Sequence, residues 1–250
     1  MDEFYRMLRE SGYCVVFTGA GISTLSGIPD FRGSNGVYSR KFQGFDVEEI
    51  LSIDLFLRRP DLYYSWAKPF IYELERYQPN VVHRVIARME ALGIVKMTYT
   101  QNIDLLHERA GTTRLGELHG SPAVHECLKC GKTFDYPEIA AIVGQGRVPT
   151  CPLCGGIVKP RIVFYGESLD SGLLDRAEAD LRRADLLLVL GSSLTVNPAA
   201  SLPRITLASG GNLVIVNRQP TPLDRYAVRR FDDLESVFQL LERKLDGGSV

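Results

Sequence analysis

The stretch CVVFTGAGISTLSGIPDFRG, residues 14–33, decides the fold. Its first five residues form an unbroken apolar or β-branched run, the pattern of a strand covered on both faces. Gly19 and Gly21 follow at once, so the strand leaves through a glycine turn into a helix-like segment. Such a turn lets backbone approach a pyrophosphate near a helix N-terminus. The loop then ends in PDFRG, which sets Asp30, Phe31 and Arg32 beside whatever the turn has caught. GAGIST carries only two of the three glycines of the dinucleotide fingerprint, so the rest of the chain must supply the other walls.

Four further runs read as buried strands: VKMTYT at 95–100, RIVFYG at 161–166, LLLVLG at 186–191 and NLVIVN at 212–217. Helix-like segments lie among them at 80–92, 103–110, 172–183, 199–209 and 232–245. Alternating strands and helices predict an α/β chain with a Rossmann-like, doubly wound parallel sheet. Two stretches break the rhythm. Residues 34–77 hold the aromatic-rich PDLYYSWAKPFIYELERY, and 121–159 hold four cysteines in two close pairs. The expected division is therefore a nucleotide-binding domain of 1–33, 78–120 and 160–250. A helical module at 34–77 and a cysteine module at 121–159 together form a smaller domain.

The composition suits a soluble globular protein of 250 residues, with 45% hydrophobic and 24% charged residues. Basic and acidic residues number 29 and 30, for a net charge of −1, which argues against a binder of nucleic-acid backbone. No apolar run approaches the roughly 20 residues of a membrane span, and the N-terminus lacks a signal-peptide core, so a cytoplasmic protein without membrane contact is expected.

Ligands of open parallel sheets sit outside the carboxyl ends of the strands. Those ends carry Gly19, Ala20 and Gly21 after the first strand, and Gln101, Asn102, Ile103 and Asp104 after the second. Gly191, Ser192 and Ser193 follow the LLLVLG strand, and Asn217 closes the last. Singly each has a plainer reading; Asn102, for example, would cap the helix that follows. Their coincidence at one edge points to a dinucleotide. No acidic residue stands after a second strand about 20 residues on, where a common Rossmann fold grips the adenine ribose, so Asn217 is assigned that task.

Cys127-x-x-Cys130 and Cys151-x-x-Cys154 match a four-thiolate zinc site, with Gly131 and Gly155 where each knuckle must turn. Four thiolates fill a tetrahedral ion and leave no open position, so the zinc is read as structural. Cys14 reads as a small buried hydrophobe. Among four histidines, His83, His107 and His125 read as surface or packing residues. His119, before Gly120 at the entry to the cysteine module, is positioned to act as a general base.

The strings GAGIS, GIPDFRG, TQNID, LHG, the paired cysteines, KPRIVFYGE, GSSLTV and IVN stand in one order. Together, from Tyr13 to Asn217, they resemble the sirtuin family of NAD-dependent protein lysine deacylases. The resemblance implies NAD as cosubstrate and acetylated lysine of proteins as substrate. Nicotinamide, O-acyl-ADP-ribose and free lysine are the implied products. Ala20, Gly21, Arg32, Ser192 and Ser193 would surround the pyrophosphate and nearby sugar, and Asn217 the adenine ribose. Asp30 would shape the loop and Phe31 would shield the anomeric carbon. Gln101, Asn102, Ile103 and Asp104 would hold the nicotinamide ribose and carboxamide. His119 would be the base, with Asn102 beside it. The substrate would lie as an added strand between 163–167 and 193–197, touching Val163, Tyr165, Gly166, Glu167 and Val196.

Two departures stand out: Tyr165 replaces the Phe of the family's FGE string, and Ser192 stands where Thr is frequent. Mono-ADP-ribosyl transfer would use the same early chemistry. An NAD-dependent oxidoreductase and a zinc-bearing nucleic-acid binder are the other readings. Family members that take acidic acyl groups carry Tyr-x-x-Arg in the helical module, whereas DLYYSWAKPFIYE at 61–73 has no arginine.

Overall fold

A computed structural model describes residues 1–30, 36 and 41–247; Phe31 and Arg32 fall outside the described residues. Among these, the strands in chain order are β1 (Cys14–Thr18), β2 (Val95–Thr100), β3 (Leu115–Glu117), β4 (Gly120–Cys127), β5 (Thr133–Asp135), β6 (Val158–Ile162), β7 (Leu186–Leu190), β8 (Asn212–Val216) and β9 (Arg229–Phe231). The helices are α1 (Asp2–Glu10), α2 (Val47–Ile50), α3 (Ile53–Arg58), α4 (Pro60–Ile71), α5 (Val81–Ala91), α6 (Leu106–Arg109), α7 (Tyr136–Gly144), α8 (Ser171–Arg183), α9 (Pro203–Ala208) and α10 (Leu234–Leu245). No helix among the described residues is long and apolar enough to cross a membrane.

Six strands form a parallel sheet in the order β3-β2-β1-β7-β8-β9. Every residue of β1 and β7 is buried. Successive side chains serve opposite faces. Cys14, Val16, Leu186, Leu188, Val214 and Val216 meet α1, α5 and α10. Val15, Phe17, Leu187, Val189, Leu213 and Ile215 meet α8 and residues 199–207. Double coverage is what makes these runs continuously apolar. Burial also pushes the Cys14 thiol up, so it behaves as the small hydrophobe expected.

The order reverses between β1 and β7, because the chain moves outward through β2 and β3 and later through β8 and β9 in the other direction. Loops leaving these two strands part and open a crevice at their carboxyl ends. A Cβ on Gly19 would meet Gly191 O at 2.8 Å, and one on Gly21 would meet Gly191 Cα at 2.8 Å. Gly191, at φ +60°, faces Ile22 N in the same way at 2.4 Å. Gly21 N–H donates to Gly191 O at 2.8 Å, locking the two turns together. These glycines thus make room for each other's backbone at the crevice floor.

The smaller sheet, β5-β4-β6, is antiparallel. The expectation of a main-sheet strand at 161–166 is corrected here: the strand ends at Ile162 and pairs with β4, and 163–167 continue as a loop. An apolar run records burial but not which sheet buries it. The main sheet also gains two three-residue edge strands, β3 and β9, too short to show a period. The 103–110 helix contracts to Leu106–Arg109 because Leu105 takes a left-handed φ of 61°. Residues 199–209 split into a 3-10 turn, Ala199–Ser201, and α9.

Helices α2 to α4 share one core with α7 and the small sheet, including Phe56, Tyr63, Trp66, Phe134, Ile139 and Phe164. Polar ties cross the same seam: Tyr64 Oη donates to Val158 O at 2.6 Å, Tyr136 Oη to Ile71 O at 2.9 Å, and Tyr72 Oη meets His125 Nε2 at 2.9 Å. The helical and cysteine modules therefore pack as one unit.

The glycine interlock gives a direct test. Gly21→Ala must part the two loops, an overpacking cost of about 1–3 kcal/mol. Chemical unfolding should show that loss, and an unchanged midpoint with unchanged slope would disprove the interlock.

Candidate active site

A cleft of about 540 Å³ runs along the carboxyl edge of the main sheet. Most of the expected residues line it: Gly19, Ala20, Gly21, Asp30, Gln101, Asn102, Ile103, His119, Val163, Tyr165, Gly166, Glu167, Gly191, Ser192, Ser193, Val196 and Asn217. Asp104 instead borders a small apolar side pocket of about 50 Å³, with Ala20, Ile28, Trp66, Phe70 and Ile103. Sequence reasoning missed Thr24, Leu25, Leu51, Leu169, Arg218 and Gln219, and also 232–235. The last group follows the unrecognised strand β9, and the strand-tip rule would have found it had β9 been legible.

Segment 101–104 is fixed by its neighbours. Gln101 N–H donates to Thr18 O at 3.0 Å, and Gln101 Nε2 to Ser192 Oγ at 2.8 Å, which joins the β2 and β7 tips. Asn102 N–H donates to Thr100 Oγ1 at 3.0 Å. That hydroxyl lies 2.8 Å from Thr18 Oγ1, which lies 3.0 Å from His107 Nε2. His107 is buried and its pKa is lowered by desolvation to about 4, so a neutral ring ends this chain. Asn102 is not a helix cap: its Nδ2 donates to Ser23 Oγ at 3.1 Å, and Ser23 Oγ donates to Asp104 Oδ2 at 2.6 Å. Leu106 N–H donates to Asp104 Oδ1 at 2.9 Å. Burial raises the Asp104 pKa, and these donors oppose it.

His119 Nδ1 lies 2.8 Å from Gln101 O. A carbonyl only accepts, so Nδ1 carries the proton and Nε2 keeps its lone pair. Burial lowers the pKa of this imidazole, and the bond to Gln101 partly restores it. The ring is thereby neutral, oriented and in the cleft. His83, His107 and His125 are all buried packing residues.

Segment 163–167 forms the facing wall. Glu167 N–H donates to Phe164 O at 2.9 Å, and Gly166 takes φ +93°, so FYGE is a β-turn of the kind that needs glycine third. Tyr165 N–H donates to Leu51 O at 2.8 Å and Tyr165 O accepts from Ile53 N at 3.0 Å. Val163 N–H donates to His119 O at 2.8 Å.

The cysteines gather at the far end of the small sheet. The Sγ atoms of Cys127, Cys130, Cys151 and Cys154 all lie within 4.8 Å of one another. Cys127–Cys154 and Cys130–Cys151 are 3.4 and 3.6 Å apart. A tetrahedral zinc with bonds of about 2.3 Å sets its sulfurs about 3.8 Å apart, so the cluster has that size. Gly131 and Gly155 take φ +73° and +69°, turning each knuckle as expected. Burial resists ionisation of Cys127, yet N–H groups of Cys130 and Lys129 bring it down to about 6. Against the N–H of Gly156, burial and its sulfur neighbours push Cys154 up to about 12. Four thiolates this close need a cation, and the residues fit zinc.

Comparisons with known proteins agree with this geometry. The sequence pattern described as the Sir2 family matches residues 19–198. The NAD-dependent protein deacetylase of Thermotoga maritima is 41% identical over 250 residues, covering 100% of this chain and 99% of that one. The NAD-dependent protein deacylase 2 of Archaeoglobus fulgidus is 43% identical over 87% of this chain and 85% of its own. A solved Sir2 complex with a p53 peptide and NAD+ superposes with TM-score 0.88 at 40% identity, covering 99% of this chain and 98% of that one. A Sir2 bound to a propionylated peptide gives 0.86 at 40% identity, with the same coverage.

The cysteine cluster stands apart from the cleft lining, so its contribution is to folding. Cys130→Ser should lower zinc content, thermal stability and soluble yield together, and turnover with them. A zinc-free variant with full stability and turnover would overturn the structural assignment.

Proposed function

The chain belongs to the Sir2 family, and from that premise we propose that it is an NAD-dependent protein lysine deacetylase, more broadly a deacylase. Its substrates are acetylated lysines of proteins, and its products are nicotinamide, O-acetyl-ADP-ribose and free lysine. The observation that carries this reading is the neutral His119 ring, tied through Nδ1 to Gln101 O at 2.8 Å in a cleft of dinucleotide size. We assign the protein to the cytoplasm, without membrane or nucleic-acid partners.

NAD, when bound, supplies the sugar carbon that accepts the acyl oxygen once nicotinamide leaves. The residues available to hold it are mostly amides and hydroxyls, with one arginine and one carboxylate. Ser192, Ser193 and Arg32 suit the pyrophosphate, Asn217 the adenine ribose, and Gln101 to Asp104 the nicotinamide end. The glycine floor admits the backbone-close approach that a pyrophosphate needs. Phe31 suits a lid that excludes water. Asp30 shapes that loop.

His119 is the general base. Its lowered pKa keeps it able to accept a proton near neutral pH, and Gln101 O steadies the ring as it becomes cationic. Asn102, in the cleft beside the base, is held in place by its Nδ2 bond to Ser23 Oγ and fixes the 101–104 segment. The acyl-lysine chain lies between 163–167 and 193–197, beside Val163, Tyr165, Gly166 and Val196. Residues 51–53 cover the opposite edge of Tyr165 by a parallel bridge. Zinc is structural and takes no part in the chemistry.

Mass spectrometry of an acetyl-lysine peptide with NAD tests the function: the peptide should lose its acetyl group as O-acetyl-ADP-ribose appears. A peptide that gains ADP-ribose, or reduced nicotinamide absorbing near 340 nm, would replace this reading with one of its rivals.

His119→Ala should abolish deacetylation while leaving some peptide-dependent exchange of labelled nicotinamide into NAD. Loss of both with NAD binding intact would place His119 earlier in the reaction.

Acyl selectivity follows from the lining. The one arginine among the described cleft residues, Arg218, adjoins Asn217, across the sheet from His119. A succinyl carboxylate beside Val163 would be desolvated without a partner, at a cost on the order of a few kcal/mol. Acetyl-lysine should therefore be processed well and succinyl-lysine poorly. Equal kcat/KM for both on one peptide would sink the idea.

A further inference from the structure

Lys159 is a buried ammonium that neither the base nor the dinucleotide requires. It sits in β6 with only 8% of its side chain accessible. Its Nζ donates to Glu167 Oε2 at 2.8 Å and to Ile162 O at 2.8 Å. A weaker bond reaches Pro160 O at 3.3 Å. The same Nζ lies 4.2 Å above the Phe164 ring centroid. Glu167 Oε2 in turn accepts from Phe164 N–H at 2.8 Å. One cation thus holds both ends and the central ring of the segment 162–167.

Burying a lysine head is costly unless it is paired and its protons are all accepted. Here two carbonyls, a carboxylate and an aromatic face satisfy it. Burial lowers the Lys159 pKa, and the Glu167 carboxylate acts against that shift. Glu167 has 30% of its side chain accessible and turns its carboxylate inward, onto Lys159 and Phe164 N–H. Glu167 thus lines the cleft, where a substrate contact is expected of it, and also holds the wall itself.

We infer that Lys159 and Glu167 are a pair of positioning residues that set the wall 162–167 against which the acyl-lysine chain is read. The inference rests on the deacylase reading and deepens it. Because Val163 N–H donates to His119 O, the clamp also fixes the spacing between the acyl wall and the base. A misplaced reacting group costs rate steeply, which is why a buried ion pair is worth holding here.

The test uses the full zinc-loaded protein with Lys159→Met, Glu167→Gln and the double variant. Amide hydrogen exchange is measured first, without any substrate. Exchange at 163–167 should rise in Lys159→Met. Steady-state kinetics should then show KM for an acetyl-lysine peptide raised at least about tenfold, with NAD affinity by calorimetry unchanged. The double variant should cost less than the sum of the single changes, since both remove the shared Lys159–Glu167 pair. Unchanged exchange at 163–167 in a folded Lys159→Met would overturn the clamp whatever the enzyme does, so this arm stands even if the parent protein lacks deacetylase activity. Faster exchange with an unchanged peptide KM would overturn the positioning role. If Lys159→Met fails to fold, Glu167→Gln, altered at a partly exposed side chain, is judged by the same two readouts.

Discussion

Two parallel strands lie side by side at the centre of the sheet, and the chain must leave them in opposite directions. β1 feeds connections that build toward β3, and β7 feeds connections toward β9. No chain connection crosses the gap between their carboxyl ends, so the gap persists as a crevice whose floor is backbone. Gly19, Gly21 and Gly191 set how closely the two exits approach, and Gln101 ties the β2 tip to Ser192 across them. The neutral donors of the cleft then hang on one rigid edge. Because β1 and β7 are buried throughout, that edge has little freedom to shift.

The small sheet carries the second constraint. Strand β4 begins at Gly120, directly after His119, and ends at Cys127. Its partner β6 pairs Val158 with Cys127 at one end and Ile162 with Gly120 at the other. The cysteine cluster and the base thus sit toward opposite ends of one ladder, four β6 steps or about 13 Å long at about 3.3 Å per residue, with β4 bulging between Ser121 and His125. Gly120, with φ +72°, lies so close to Arg161 O that a Cβ there would be 2.1 Å away. The cysteine centre therefore acts on the cleft by holding a register, with no ligand in common.

Much of this could be read from residues alone, and the failures share a cause. Runs such as CVVFT and LLLVLG declare themselves because burial on both faces leaves no polar position. The tips beyond them then follow from topology. RIVFYG is equally apolar, but its first residues close the small sheet and the rest form a turn, a distinction that composition does not carry. Three-residue edge strands leave no period, and with β9 went the cleft residues 232–235. Asn102 looked like a cap because local patterning cannot see Ser23, which reaches it from 79 residues away. The paired cysteines were legible because tetrahedral coordination imposes a spacing on sequence. Lys159 was not, since a lysine in a strand gives no sign that its head is buried.

The shared floor under the cleft carries an implication for how this protein varies. Gly21 and Gly191 occupy the same thickness of space from opposite sides, so neither loop can acquire a side chain there unless the other retreats. A side chain added at either position is therefore felt by both exits at once, and adding one at each compounds the clash. Leu25, Asn197 and Arg218 line the same cleft without being set against those glycines, whereas Thr24 Oγ1 donates to Gly21 O at 2.9 Å and is tied to the floor.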